Sequence, residues 1–354
     1  MSQKTKTPRN SAVELLRILA MLMIVLSHAC YHGGYDSTYS IVSVNRLFLQ
    51  FGYLGNLGVA IFVMISGYFQ CRMEFRSRSL SKILSQVWCY SAVLYLICYF
   101  GFGKVLPLTQ VLLPTIFETY WFVTAYVVLL LLSPFLNRMI HNLTKGQFNA
   151  LIGIMTLLWV AVPTVTKQTM YGGAFQEFVL FYCIGAWLRL YPEGKMENPK
   201  LRWALAILPM VMLYALTVVL AYCERFTPEA FGASQRFYDR NSLFIVAAAT
   251  GLMALAAYAK PFSSRLVNTI SGCTFGVYLL HDHPLVRKLL WKNWLNWEEY
   301  FTSGSFILRI LLSVVLVYGV CTGIEWLRQK TVAEPMTNLW DKVLSRLKNA
   351  EKVG

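Results

Sequence analysis

Apolar residues occur along this chain in long, continuous runs that are separated by short polar segments. Each run approaches the ~20 helical residues that cross about 30 Å of hydrocarbon. A segment within a bilayer must satisfy its own backbone hydrogen bonds, which leaves only helices and closed barrels. The runs lack the alternation of apolar and polar residues that is typical of barrel strands, so the pattern predicts helices.

The spacing of the runs predicts an all-α integral membrane protein with a single bundle of about ten transmembrane helices. The connections are short, and no repeat or soluble domain interrupts the pattern. Residues 1–330 are therefore predicted to form one transmembrane domain, followed by a basic tail at 331–354. The predicted spans are 13–30, 49–70, 83–100, 119–137, 148–165, 174–190, 203–222, 242–259, 269–286 and 305–327.

Composition agrees with this pattern. Of the 354 residues, 56% are hydrophobic and 14% are charged, whereas soluble proteins carry about 25% charged residues. A net charge of +15 could indicate a nucleic-acid partner, but the basic residues lie mostly in short loops on alternate sides of the apolar runs. That distribution is typical of membrane topology, so no nucleic-acid partner is expected and membrane lipid is the expected surrounding.

The basic residues also predict an orientation. With the amino terminus in the cytoplasm, 21 of the 32 lysines and arginines fall in cytoplasmic segments and nine in external ones. Because basic residues accumulate in short cytoplasmic loops, this bias predicts that both termini are cytoplasmic and that the number of spans is even. In the tail, Leu339, Val343, Leu344 and Leu347 share one helical face among basic residues. This predicts an amphipathic helix on the cytoplasmic leaflet, with a solvated tail as the equal alternative.

The eight cysteines lie mostly inside apolar runs and form no Cys-x-x-Cys pair. Free cysteine behaves in such surroundings as a small hydrophobic residue. We therefore expect neither a disulfide framework nor a metal site.

The first span carries charged and titratable residues that hydrocarbon normally excludes. Arg17 and His28 are eleven residues apart, which places them on one helical face with a rise of about 16 Å. Glu14 lies one turn before Arg17 and can pair with it. Histidine is well suited to take a proton from an alcohol near neutral pH. The alternatives are an arginine that reaches the headgroups and an interfacial histidine.

Several segments occur in an order that is characteristic of one family. Arg17 is followed, after ten intervening residues, by His28. The further segments are Phe-Val-Met-Ile-Ser-Gly-Tyr-Phe at 62–69, Tyr-Trp-Phe-Val-Thr-Ala-Tyr at 120–126 leading to Leu-Ser-Pro-Phe-Leu-Asn at 132–137, Phe-Tyr-Cys-Ile-Gly-Ala-Trp-Leu at 181–188, and Phe-Gly-Val-Tyr-Leu-Leu-His at 275–281. Over nearly its whole length the chain thus resembles the acyltransferase-3 family of membrane O-acyltransferases, in the type without an additional hydrolase-like domain.

The resemblance implies transfer of an acyl group, most often acetyl, from cytoplasmic acyl-coenzyme A. It implies that the acceptor is a hydroxyl of a cell-surface polysaccharide or of its lipid-linked precursor, and that the protein spans a bacterial inner membrane. His28 matches the essential histidine of the family, and Arg17 matches its arginine. We expect His28 to act as general base for direct attack on the thioester, with a covalent acyl-histidine as the alternative. Arg17, held by Glu14, would orient the donor or stabilise the oxyanion.

Four basic residues after the second span are predicted to bind the phosphates of coenzyme A, since arginine binds phosphate with two hydrogen bonds. They are Arg72, Arg76, Arg78 and Lys82. The family often has an Arg-x-x-Arg pair here, whereas this chain spaces its arginines four and two apart, which changes the geometry of any phosphate clamp. The alternative is that these residues only orient the chain in the membrane.

Polar and aromatic residues near the predicted outer ends are candidates for binding the acceptor sugar. They are His281 and Asp282 on the ninth span, and Tyr120, Trp121 and Tyr126 on the fourth. Interfacial anchoring explains all five equally well. Three further charged residues within spans are expected to pair internally: Glu177, Arg309 and Glu325.

Two other functions are compatible with charged residues inside the bundle. A transporter or flippase of a lipid-linked glycan would use them as a substrate path, although no inverted repeat or pair of broken helices is evident. A membrane sensor would use the histidine to bind a small ligand. The sequence leaves a homodimer open.

Overall fold

The computed structural model describes residues 10–33, 43–166, 173–193, 195–223, 226–227 and 232–350. The side chains at 195, 232–233, 297–298 and 346–350 lie outside that description, as does the last part of the predicted tail, 351–354. Helices and short helical turns account for the secondary structure of the described residues, and no strand occurs among them.

The helices differ greatly in length. In chain order they are α1 Ser11–His32, α2 Val44–Gly52, α3 Gly55–Gln70, α4 Ser77–Phe102, α5 Leu108–Leu112, α6 Trp121–Asn142, α7 Lys145–Thr156, α8 Val162–Thr166, α9 Ala174–Leu190, α10 Pro199–Cys223, α11 Leu243–Ala257, α12 Arg265–His281, α13 Pro284–Arg287, α14 Phe306–Thr331 and α15 Ala333–Ala350. A π-helical turn, Leu157–Ala161, joins α7 to α8.

Each of the ten predicted spans coincides with a helix or with two consecutive helices. Eight helical segments of the described chain are long and apolar enough to cross a membrane. The two remaining spans correspond to α9 and α12, which have 17 residues each. The prediction of an all-α integral membrane protein is confirmed.

Hydrogen bonds between distant chain segments show which helix ends lie at the same end of the bundle. At one end, Ser11 N donates to the Phe262 carbonyl oxygen at 2.9 Å, and Arg72 donates to the Arg189 carbonyl. At the other end, Asn45 donates to the Phe301 carbonyl at 2.7 Å and Asn56 to that of Tyr238 at 2.9 Å. Successive spans therefore run in alternate directions. The two ends are called the Arg72 end and the His28 end below.

Helices α3 and α9 pack so closely that glycine is required on both. A Cβ on Gly67 would collide with the backbone of Tyr182, and a Cβ on Gly185 would collide with the backbone of Met64. Small residues allow helix backbones to approach in membranes, where the hydrophobic effect gives little drive for association. This reciprocal contact anchors α3 at the centre of the bundle, between α1 and α9.

The structure corrects the boundaries of two predicted spans. The ninth was expected to continue to 286, but α12 ends at His281, and a new helix begins at Pro284. Proline cannot donate to the preceding turn, and the His283 side chain accepts from Leu285 N at 3.3 Å, which caps α13. The second was expected to begin at 49, but the chain enters a helix at Val44 and turns at 53–54.

The segment predicted as an amphipathic tail forms α15, which packs along α4. Arg78 at the start of α4 forms ion pairs with Glu334 and with Asp341, the latter at 2.7 Å. Further along, Ser85 and Thr337 are hydrogen bonded at 3.4 Å. The apolar residues Leu339 and Val343 lie on the exposed side of α15, which is the side available to lipid.

We predict that Gly185→Ala destabilises the protein by about 1–3 kcal/mol or more, because the obstacle is a backbone that cannot move aside. Thermal unfolding in detergent measures this effect. Gly319→Ala on α14 is the matched control, since nothing lies within 4 Å of the new Cβ; it should be neutral or stabilising by up to about 1 kcal/mol. Equal melting temperatures for the two variants would contradict the close α3–α9 contact.

Candidate active site

His28 lies near the end of α1 and faces residues at the end of α12. Its Nδ1 is 2.9 Å from Nε2 of His281 and 3.5 Å from Oδ1 of Asp282. The His281 side chain is fully buried, whereas that of His28 is 18% exposed. The structure thus brings together two of the predicted site residues that the sequence separates by more than 250 positions.

The hydrogen bonds at this pair determine the protonation of each ring nitrogen. His281 Nδ1 is 2.6 Å from the Val277 carbonyl oxygen, and since a carbonyl only accepts, this nitrogen must carry a proton. In the neutral ring His281 Nε2 is then an acceptor, so His28 Nδ1 must donate to it. We assign the tautomers from this network. Neutral His28 is left with an unprotonated Nε2, which is the form a general base needs.

Asp282 supplies negative charge beside the histidine pair. Its side chain is 4% exposed, and Oδ1 accepts from Arg287 Nη1 at 3.3 Å. A carboxylate at this position stabilises the positive charge that His28 acquires when it takes up a proton. Arg287 compensates the carboxylate in the resting state, when His28 is neutral.

A cavity of about 30 Å³ adjoins His28. This volume is sufficient for one or two small groups. Its lining is almost entirely apolar and consists of Met21, Ile24, His28, Val59, Phe62, Trp121, Phe122, Phe275 and Tyr278. The cavity can hold a small apolar substituent against the histidine.

Arg17 lies at the other end of the bundle from His28. Its Nη1 is 2.5 Å from Glu14 Oε2 and 3.4 Å from Ser271 Oγ, and Ser271 also donates to Glu14. Arg17 and His28 are eleven positions apart on α1, a rise of about 16 Å. The predicted pair Glu14–Arg17 is present. Arg17 lies too far from His28, however, to contact an oxyanion beside that histidine.

The four basic residues after α3 do not form one cluster. Arg78 is engaged by Glu334, Asp341 and Asn338 of α15. Arg76 and Lys82 are exposed. Arg72 instead approaches Arg189 at the end of α9, where its Nη2 donates to the Arg189 carbonyl at 3.4 Å.

Arg189 is a residue that the sequence reasoning did not select. In the sequence it is one of many basic residues at the ends of apolar runs, and only the packing of α9 against α3 places it beside Arg72. The one sequence signal is the small residue at Gly185, one turn earlier, which permits that packing.

The candidate acceptor-binding residues have different surroundings. Tyr120 is 1% exposed and its hydroxyl donates to the Leu279 carbonyl at 3.0 Å. The prediction that Tyr120 stacks on a sugar is therefore corrected, because its ring is enclosed and joins α6 to α12. Buried His281 and Asp282 likewise contact His28 rather than an open surface. Trp121 lines the His28 cavity, and Tyr126 lies deeper, where its hydroxyl is 3.0 Å from Ser66 Oγ.

Glu177 and Glu325 have the internal charge partners that were expected, whereas Arg309 is exposed and forms no ion pair with a described residue. Glu177 accepts from Arg240 at 2.6 Å, and Glu325 accepts from Arg328 at 2.8 Å. Arg309 lies over the Tyr300 ring, 4.2 Å from its centroid. Among the described residues, no group of three or more His, Cys, Asp or Glu is arranged to hold a metal ion.

Comparison with known proteins gives one match. A family model described as an acyltransferase domain, of the acyltransferase-3 family, matches residues 10–326, which is nearly the whole chain and includes every candidate site residue. No curated protein and no solved structure matches the chain.

We predict that Arg17→Ala destabilises the protein by about 3–5 kcal/mol, because Glu14 would remain buried without its charge partner. Glu14 is 5% exposed. The double variant Glu14→Gln, Arg17→Gln should recover most of this loss, since no charge is left unpaired. Thermal unfolding of the three proteins in detergent is the measurement. If Arg17→Ala is as stable as the native protein, Arg17 merely reaches the headgroups.

Proposed function

The chain belongs to the acyltransferase-3 family of membrane acyltransferases, and on that premise we propose that it moves an acetyl group from acyl-coenzyme A to a hydroxyl of a cell-surface or lipid-linked polysaccharide. The proposal places the Arg72 end and both termini in the cytoplasm of a bacterium whose inner membrane the protein spans. The observation that carries it is His28, whose Nδ1 donates to His281 while its Nε2 is free to accept a proton.

The reaction proceeds by direct attack. His28 Nε2 takes the proton of the acceptor hydroxyl while the hydroxyl oxygen attacks the thioester carbonyl carbon. The tetrahedral intermediate collapses by breaking the carbon–sulfur bond, and His28 returns the proton to the departing thiolate. The products are an ester and coenzyme A, and no proton is gained or lost. During the step His281 keeps the His28 ring oriented, and Asp282 balances its transient charge.

The size and polarity of the cavity support acetyl as the group transferred. Its volume of about 30 Å³ admits one or two small groups. A succinyl group would place a carboxylate among apolar side chains, which costs several kcal/mol without a partner. Arg287, the cation nearest to His28 in the network above, is already paired with Asp282.

The small cavity beside His28 also favours a transferase over a flippase. A transferase needs a small cavity beside its general base, which is what adjoins His28, whereas a flippase has no use for a base there. The geometry instead supports a donor that arrives from the Arg72 end and an acceptor hydroxyl that arrives from the His28 end. Trp121, which forms one wall, has the flat ring that commonly stacks on a sugar.

We predict that His28→Ala lowers acetyl transfer at least about 10²-fold, because no other group removes the hydroxyl proton. Purified protein in nanodiscs is incubated with radiolabelled acetyl-coenzyme A and a membrane glycolipid extract, and label in the glycolipid is measured. Coenzyme A binding by His28→Ala should stay within about twofold, which separates chemistry from folding. Unchanged label transfer by His28→Ala would disprove the assignment of the base.

The role of His281 is tested in the same assay by two substitutions. His281→Gln offers a carbonyl oxygen to His28 Nδ1 and should retain more activity than His281→Leu, which offers no acceptor.

We predict that Phe275→Ala broadens the choice of acyl group. Native protein should prefer acetyl- to butyryl-coenzyme A by at least about 10-fold, since each excess methylene in a tight pocket is worth about 1–3 kcal/mol. Removing the Phe275 ring should reduce that preference at least about fivefold. Phe135→Ala, on a side chain that is 70% exposed on α6, is the control and should leave the preference unchanged. If Phe275→Ala leaves it unchanged too, the acyl group binds elsewhere.

A further inference from the structure

A second cavity lies between α7, α9, α10 and α11 and shares no lining residue with the cavity beside His28. Its volume is about 400 Å³, which falls within the roughly 300–1,000 Å³ that is typical of sites for small molecules. Most of its lining is apolar and includes Ile152, Ile184, Leu205 and Val246. The acyl transfer proposed above makes no use of this space.

The cavity begins near the Arg72 end of the bundle. Met196, in the connection between α9 and α10, lines it at that end. On α7 the lining runs from Asn149 to Thr156, a rise of about 10 Å toward the middle of the membrane. The cavity therefore reaches from the headgroup level into the hydrocarbon of the leaflet at the Arg72 end.

Lipid has access to this cavity from the side of the bundle. Helix α7 packs against α9, and α10 packs against α11, so the cavity occupies the gap between these two helix pairs. Asn149 and Gly153 of α7 both line the cavity and are exposed. A molecule in the bilayer can enter without passing through the protein core.

Two basic side chains lie beside the cavity at the Arg72 end. Lys145 precedes Asn149 by one turn of α7, and its Nζ lies 5.4 Å from the centroid of the Tyr191 ring. Arg202 lies in the first turns of α10, and its guanidinium is 5.4 Å from the centroid of the Tyr258 ring. The Arg202 Nε is buried and has no hydrogen-bond partner among the described residues.

The charge of these two side chains is not balanced within the described part of the chain. The ion pairs of the described residues involve neither Lys145 nor Arg202. Glu193 and Glu197 in the connection between α9 and α10 are exposed, and Glu197 offers Arg202 only its backbone carbonyl, at 3.3 Å. Basic residues beside an apolar gap between membrane helices match an amphiphile that has an anionic head and an apolar chain.

We infer that this cavity binds one acyl chain of an anionic phospholipid from the leaflet at the Arg72 end, with the lipid phosphate held by Lys145 and Arg202. Between chain and phosphate lie the glycerol esters, at the level of Asn149. Trp187 Nε1 donates to Asn149 Oδ1 at 2.6 Å, which leaves the amide N–H groups of Asn149 to donate to ester carbonyls. Each part of the lipid thus has a matching group at its own depth.

The first test concerns the headgroup. Native mass spectrometry of the full chain in detergent is used to titrate phosphatidylglycerol and phosphatidylcholine that carry identical acyl chains. The native protein should bind one phosphatidylglycerol at least about fivefold more tightly than phosphatidylcholine, because only the former has a net negative charge for the two basic residues. Arg202→Gln should reduce that preference at least about threefold and leave phosphatidylcholine binding within about twofold.

Two further variants complete the headgroup test. Lys145→Gln should reduce the preference in the same way, and since Lys145 is exposed this variant keeps the test valid if Arg202→Gln folds poorly. Lys330→Gln, an equal loss of charge at an exposed position near the same end of α14, is the matched control and should keep the native preference.

The second test fills the cavity. A Cβ on Gly153 meets nothing within 4 Å, so the side chain of Gly153→Leu can occupy the space without displacing the protein, and leucine favours a helix more than glycine does. This variant should bind both lipids at least about 10-fold more weakly. Gly319→Leu on α14, where a Cβ is equally unobstructed, is the matched control and should bind both lipids normally.

Three outcomes would overturn the inference. If Gly153→Leu binds phosphatidylglycerol as well as Gly319→Leu does, the chain does not occupy the cavity. If the native protein binds the two lipids equally, the basic residues do not select an anionic head. If Gly153→Leu converts a dimer in detergent into a monomer, a second copy of the chain fills the cavity instead of a lipid. None of these measurements depends on acyl transfer, so they are independent of the proposed function.

Discussion

The low polarity of the bilayer interior governs this molecule, because a charged side chain in hydrocarbon must find a partner within the protein. Carboxylates inside the bundle meet arginines: Glu14 with Arg17, Glu177 with Arg240, and Glu325 with Arg328. Two of these carboxylates also accept from a further helix, Glu14 from Ser271 of α12 and Glu325 from Tyr90 of α4.

The chemistry of the site depends on how α12 ends. His281 is the last residue of the helix, and its Nδ1 bonds back to the Val277 carbonyl one turn earlier. That ordinary helix-end contact orients the ring and directs Nε2 toward α1. Asp282, the next residue, lies in the break between α12 and α13, and its carboxylate faces the same histidine. The consecutive residues His281 and Asp282 therefore orient the His28 ring and stabilise the positive charge that it acquires.

The sequence was sufficient to predict the features that depend on local pattern. Apolar runs identified the positions of the spans, and the eleven-residue spacing of Arg17 and His28 placed both on one face of α1. Features that depend on packing between distant segments were out of reach. Tyr120 is buried because α12 packs against it, and Arg78 is ion paired because α15 packs along α4. Arg189 lies near Arg72 because glycines allow α3 and α9 to pack closely. The residue pattern within a single segment carries no information about its contacts with distant segments.

The shortness of α9 and α12 has a consequence for the path between the two ends of the bundle. Helices of 17 residues span about 25 Å, roughly 5 Å less than a typical hydrocarbon core. Neither helix meets lipid along its whole length: every residue of α9 is buried or half-buried, and α12 is exposed only in its first turns. Longer helices such as α10 and α14 expose apolar side chains instead, so the two short helices lie inside the bundle. A path that follows α9 and α12 from one end of the protein to the other is therefore only about 25 Å long, which is shorter than a typical hydrocarbon core.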